Sequence, residues 1–142
     1  MSPEDLLTES RLLLQLLKQW SDRLHAGGPV TNPMRSVLER LLRSGPVTVP
    51  AVARALGVTR QHVQLQVDAL LDAGMVLREP NPAHKRSSLI ALADKGRAVI
   101  ESMRAEERRA FARLQTGVSD EAMADAAQVL AACRAALVAD RG

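Results

Sequence analysis

Residues 45–92 read GPVTVPAVARALGVTRQHVQLQVDALLDAGMVLREPNPAHKRSSLIAL, and the order of their turn and helix signals decides the fold. Thr48 can cap a short helix over 49–56, where Pro50 is tolerated because it falls in the first turn. Gly57 ends that helix. Thr59 caps the next one, predicted over 60–74, and Gly74 closes it. Within it, Val63-Gln64-Leu65-Gln66-Val67 alternates as a strand would, but Val63, Val67, Leu70 and Leu71 also follow the spacing of one helical face. The caps at both ends and the length favour helix. Short strands are expected at Met75 to Arg78 and Ser88 to Leu92, around a loop 79–87 that two prolines and an asparagine stiffen into a turn.

A short helix, a tight turn, a polar-tipped helix and a hairpin, in that order, spell a winged helix-turn-helix. The predicted fold is therefore mainly α (α+β), with this unit at 31–93. Outward from it, Ser2-Pro3-Glu4-Asp5 starts a first helix that runs to about His25 and stops at Gly27-Gly28-Pro29. Leu6, Leu13, Leu17, Trp20 and Leu24 make one apolar stripe on it, widened by Leu12 and Leu16. A helix apolar on more than one side needs two partners, here its own core and another subunit. Asn32-Pro33 opens a second helix carrying Val37, Leu38, Leu41 and Leu42. A long helix from Asp94 to about Gln115 and a last one capped at Ser119 complete the chain. The segments 1–30 and 94–142 are expected to form a helical dimerisation region.

Composition narrows the function. With 142 residues, 46% hydrophobic and 25% charged, the chain can bury a core and does not read as disordered. The apolar-rich run Leu12 to Leu17 is far too short to span a bilayer, and no basic region with an apolar signal core opens the sequence, so neither membrane nor secretion is expected. A lone Cys133 allows no internal disulfide and fits a cytoplasmic location; on an apolar helix face it reads first as a small core residue. The net charge of +3 is unevenly placed: residues 31–92 carry eight basic and four acidic side chains, while the flanking segments are nearly balanced or slightly acidic. Phosphate is a natural counterpart for that excess, although a solvated surface could carry it too.

Catalytic readings find little support. There is no Gly-rich phosphate loop, no metal-spaced histidine pair and no cysteine cluster, so no catalytic residue, metal or cofactor is expected. His25, His62 and His84 fall on three different elements. With no Tyr, one Phe and one Trp, stacking on single-stranded bases has almost nothing to use. Duplex DNA remains. The N-terminal turn of a reading helix comes closest to base edges in the major groove, and here it is Thr59-Arg60-Gln61-His62, followed by Gln64. Arg can pair bidentately with guanine, Gln with adenine, and the Thr hydroxyl can reach a phosphate. Lys85 and Arg86 at the hairpin tip can enter the adjacent minor groove. A polar helix surface and a charged, soluble hairpin would contain the same residues, so the sequence leaves both readings open.

The run LLDAGMVLREPNPAHKRSSLIALADKG resembles the wing region of the MarR family (multiple antibiotic resistance regulators), and the similarity in element order extends over the whole chain. Arg86 holds the position of the family's wing arginine; His84 stands in place of its Asp, Ala93 in place of the Thr before the fifth helix, and Leu65 and Ala69 where basic residues are common. The resemblance implies a homodimeric regulator, in the first instance a repressor, whose two reading helices meet successive major grooves of a pseudo-palindromic operator. It also implies release by a small aromatic or anionic effector in a crevice near Trp20, Leu24, Met34 and Leu38, four residues that equally read as plain core. Peroxide-sensing relatives use a cysteine in the first helix, and none is present there. The alternative is a winged-helix module that binds a partner protein instead of DNA.

Overall fold

Hydroxyl side chains start five of the six helices in the computed structural model, which describes residues 2–141. Ser2, Thr31, Thr48, Thr59 and Ser119 each accept a hydrogen bond from a backbone N–H in the first turn of the helix that follows. The order is α1 (Pro3–Leu24), α2 (Asn32–Ser44), α3 (Val49–Leu56), α4 (Arg60–Asp72), β1 (Val76–Glu79), β2 (Leu89–Leu92), α5 (Asp94–Ala112) and α6 (Asp120–Asp140). Expected boundaries agree to within a few residues; α4 stops at Asp72 and α5 at Ala112, each short of the predicted end. Met1 and Gly142, included in the expected terminal segments, lie outside the described residues.

The ambiguity at 63–67 resolves as helix. Val63, Val67 and Leu70 are fully buried on one side of α4, while Leu65 is 66% exposed, which a strand with alternating burial would not produce. These side chains meet Val37, Leu38 and Leu41 of α2, Val52 of α3, Met75, Val76, Ile90 and Ile100 in one core. β1 and β2 pair antiparallel with Val76 opposite Leu92 and Glu79 opposite Leu89. A feature absent from the sequence reading is a bridge from Val47 to Ile90, with the two backbone N–H groups donating to each other's carbonyls at 3.1 and 2.7 Å. It ties the wing to the segment between α2 and α3.

α5 alone lacks a side-chain cap, because Ala93 has no oxygen to offer. Its start is instead pinned to the end of α4: Ala93 N–H donates to the Met75 carbonyl at 3.0 Å, and Lys95 Nζ donates to the Ala73 carbonyl at 2.7 Å. Gly96 lies against Met75 so closely that any Cβ there would overlap the Met75 carbonyl oxygen. Along α5 the apolar side divides. Ile100 and Met103 join the core, whereas Phe111, and Leu114 just beyond the helix end, are largely exposed.

The terminal helices are not buried by the rest of the chain. No residue of α6 and only Ser21 of α1 is buried, and Leu7, Leu12, Leu13, Leu14, Leu16 and Leu17 are all about half exposed or more. α6 holds a longer apolar-rich stretch than Leu12 to Leu17. By length and composition alone it could cross a bilayer, with a window of mean hydropathy 1.4. The apolar-rich run Leu12 to Leu17 is short, whereas α6 reaches this value through alanines spread among Val129, Leu130, Cys133 and Leu137.

Candidate nucleic-acid interface

Thr59 opens α4 in extended conformation, and its Oγ1 accepts the His62 backbone N–H at 3.0 Å. The cap leaves the hydroxyl proton free to donate. It also sets Arg60, Gln61 and His62 in the first turn of the helix, all exposed. That turn carries unpaired backbone N–H groups and the positive end of the helix dipole, so it attracts anions even before its side chains are counted.

The wing approaches this helix end from the β-sheet. Asn81 shapes its tip: the Asn81 side chain accepts the Ala83 N–H at 3.1 Å and its carbonyl accepts the His84 N–H at 3.2 Å. Lys85 and Arg86 follow on the tip, both exposed. Between wing and helix lies an open groove of about 520 Å³, lined by Arg60, Gln61 and Gln64 from α4, Arg86 and Ser87 from the wing, and Arg78 from β1. Thus four of the seven predicted contact residues share one concavity. Thr59, His62 and Lys85 do not line it; His62 borders a separate crevice with Lys18, Asp22 and Val58.

Three arginines and no carboxylate line the groove, giving it a strongly positive field. Asp68, one turn beyond Gln64, moderates that field. Gln64 Nε2 donates to Asp68 Oδ1 at 2.8 Å, and Arg78 Nη2 stands 3.9 Å from the same oxygen. Both partners of the Arg78–Asp68 pair are more than half exposed, so it is held weakly and can open to a competing phosphate. Sequence reasoning missed Arg78. It lies in a strand whose neighbours gave no sign of facing α4, and only the packing angle between helix and sheet brings it there.

The four residues expected near an effector do not line one cavity. Trp20 meets Phe111 edge to face at 6.4 Å and borders a crevice of about 460 Å³ with Arg35, Glu39, Arg104, Glu107 and Arg108. Leu24 borders another, of about 570 Å³, with His25, Val99, Met103 and Glu106. Met34 packs against the core and Leu38 is wholly inside it. A charged network separates the two crevices. Arg35 grips Glu107 with both guanidinium nitrogens, one contact measuring 2.7 Å, and also holds Glu39 at 3.1 Å. His25 sits between Glu106 at 3.4 Å and Glu107 at 2.9 Å. Among the described residues no group of three or more His, Cys, Asp or Glu is placed to hold a metal ion.

Fold and groove define a winged helix-turn-helix protein with its reading helix presented to solvent. The comparisons with known proteins agree. Residues 30–87 match the model of the MarR family. A 57-residue stretch is 42% identical to the uncharacterized protein Rv2011c of Mycobacterium tuberculosis, a match spanning 40% of this chain and 40% of that relative. Over most of its length the fold is similar to the MarR family transcription regulator SP03579, with a TM-score of 0.75 and 28% identity across 96% of this chain and 90% of that one. Wild-type MarR of E. coli in its apo form has the same fold, with a TM-score of 0.74 at 19% identity, covering 94% of this chain and 97% of its own. Residues 30–87 thus resemble the MarR family in sequence, and the fold of the whole chain is similar to that of solved MarR family proteins.

Proposed function

We propose that this protein is a transcriptional regulator that binds double-stranded DNA in a sequence-specific way as a homodimer. The observation that carries this reading is the groove in which Arg60, Gln61 and Gln64 of α4 stand beside Arg86 of the wing, with no acidic side chain among its lining residues. In the assigned roles, Arg60, Gln61 and Gln64 read base edges in the major groove, Thr59 and His62 hold the flanking phosphates, and Lys85 and Arg86 follow the minor groove. Similarity of fold to a MarR family transcription regulator over 96% of the chain supports the same reading.

Dimerisation follows from the uncovered leucines of α1 and the exposed apolar positions of α6. Covering the exposed half of each leucine contributes about 1 kcal/mol. A stripe of six or more is therefore comparable with the roughly 4–15 kcal/mol that association costs. Repression follows if the bound dimer occludes a promoter. Release follows if a small aromatic or anionic effector, seated beside Trp20 or Leu24, alters the separation of the two reading helices. The cytoplasm, where the DNA is, is the proposed location.

A gel-shift titration on the promoter beside the protein's own gene, repeated at several salt concentrations, tests the proposal. Retention of a specific complex, with affinity falling steeply as salt rises, is the expected result. Failure to distinguish any promoter duplex from scrambled DNA would favour a protein-binding module instead.

A further inference from the structure

Leu65 has the most exposed large hydrophobic side chain among the described residues. It lies in the second turn of α4, on the side of the helix opposite the buried Val63, Val67 and Leu70. Gln61 stands one turn before it on the same outward face and Asp68 almost one turn after it, both exposed. Leu65 therefore sits beside Gln61 and Gln64, which line the groove between α4 and the wing. It belongs neither to the core nor to the apolar residues packed against the core, so packing within the chain does not account for a leucine at this position.

Its surroundings set Leu65 apart from the other uncovered leucines. On α1 the exposed leucines follow closely on one another and make a broad apolar face, which suits another helix. Around Leu65 the helical neighbours are Gln61, His62 and Asp68, with Ala69 as the small apolar one. Leu77 of β1 is also exposed, but it alternates with the groove-lining Arg78 and so projects from the other face of the strand. Docking of a protein partner calls for a contiguous apolar patch, which a single leucine among polar groups does not make. The edge of a base pair is a different kind of surface. In the major groove it presents hydrogen-bond donors and acceptors, interrupted at thymine by one apolar group, the C5 methyl. A polar helix face with one apolar point is the complement of that edge.

On the basis of the DNA-reading role proposed for α4, we infer that Leu65 is a specificity-determining residue that reads the C5 methyl of a thymine in each half-site. A helix that enters the major groove turns its outward face to the bases, and Leu65 enters with Gln61. The Asp68 carboxylate on the same face is engaged by the Gln64 amide at 2.8 Å. Leu65 has no donor or acceptor with which to bond a base or a phosphate. Its selectivity comes from removing its own surface and that of the methyl from water, so it discriminates between bases without adding to the salt dependence of binding.

The test uses the full-length protein and the duplex it prefers among random sequences. Each thymine of the half-site is replaced in turn, symmetrically in both halves, by deoxyuridine, which removes one methyl and alters no hydrogen bond. Fluorescence anisotropy should show one position at which affinity falls about fourfold per half-site, or roughly fifteenfold with both halves changed, as expected for one buried methyl. Leu65→Ala should bind the thymine duplex more weakly and no longer distinguish it from the deoxyuridine duplex at that position. Leu65→Met, which keeps an apolar tip, should retain most of the distinction. Both variants should fold and assemble as the parent does, since Leu65 lies outside the core. The inference is overturned if no thymine is sensitive to loss of its methyl, or if Leu65→Ala keeps the full distinction. A preferred duplex indifferent to its thymine methyls would remove the role of Leu65 alone. Failure to prefer any duplex over scrambled DNA would remove the DNA-reading role of α4 and this inference with it.

Discussion

Gln61 and Arg86 face the same groove but are expected to contribute in different ways. Gln61 is in the first turn of α4, where an amide can bond two edges of one adenine, so its loss should relax preference at one base position. Arg86 is on the wing with no side-chain partner among the described residues, and no acidic neighbour fixes it because His84 stands where the family has Asp. Its removal should weaken all duplexes alike and reduce the slope of log affinity against log salt by about 0.9. Fluorescence anisotropy with Gln61→Ala and Arg86→Ala on matched and single-base-changed duplexes separates the two roles. A uniform loss in both variants would contradict the assignment of Gln61 to base reading. Asp68 belongs to the same scale. Because it holds the Gln64 amide at 2.8 Å, it is expected to orient that proposed base-reading side chain from outside the groove lining.

Among the elements, α5 has the most instructive start. Ala93 provides no cap, so Ala93→Ser should stabilise the protein by about 1 kcal/mol. Gly96→Ala should destabilise it by about 1–3 kcal/mol, since the new methyl would have to displace the Met75 backbone and with it the junction between α4 and β1. Urea unfolding monitored by circular dichroism measures both. These junctions also show how much of the molecule was legible in the sequence. Caps such as Ser2, Thr48, Thr59 and Ser119 act through residues three positions away, so the helices and the helix-turn-helix order could be read directly. The polar tip at Thr59 to His62 was legible for the same reason. The Val47–Ile90 bridge was not, because a single residue in extended conformation leaves no periodic pattern. Arg78 and the separation of Trp20 from Leu24 depend on how whole elements pack, information that spacing along one helix does not contain.

At the scale of the whole molecule, the uncovered leucines of α1 link fold to function. Placing charge in that stripe with Leu13→Glu and Leu16→Glu should convert a dimer to a monomer in sedimentation, with the winged unit still folded because neither residue belongs to its core. Specific DNA affinity should then fall by at least a hundredfold, as one half of the contacts is lost, while weak nonspecific binding persists. Two outward-facing α4 tips, held at a fixed distance by paired protomers, are the proposed basis of DNA recognition. Selection of random duplexes by the purified protein measures this most directly. Enrichment of a pseudo-palindrome, with half-site centres about 10 base pairs apart and two protomers bound per duplex, is the predicted result. Enrichment of a single unpaired half-site, or of no sequence at all, would contradict it.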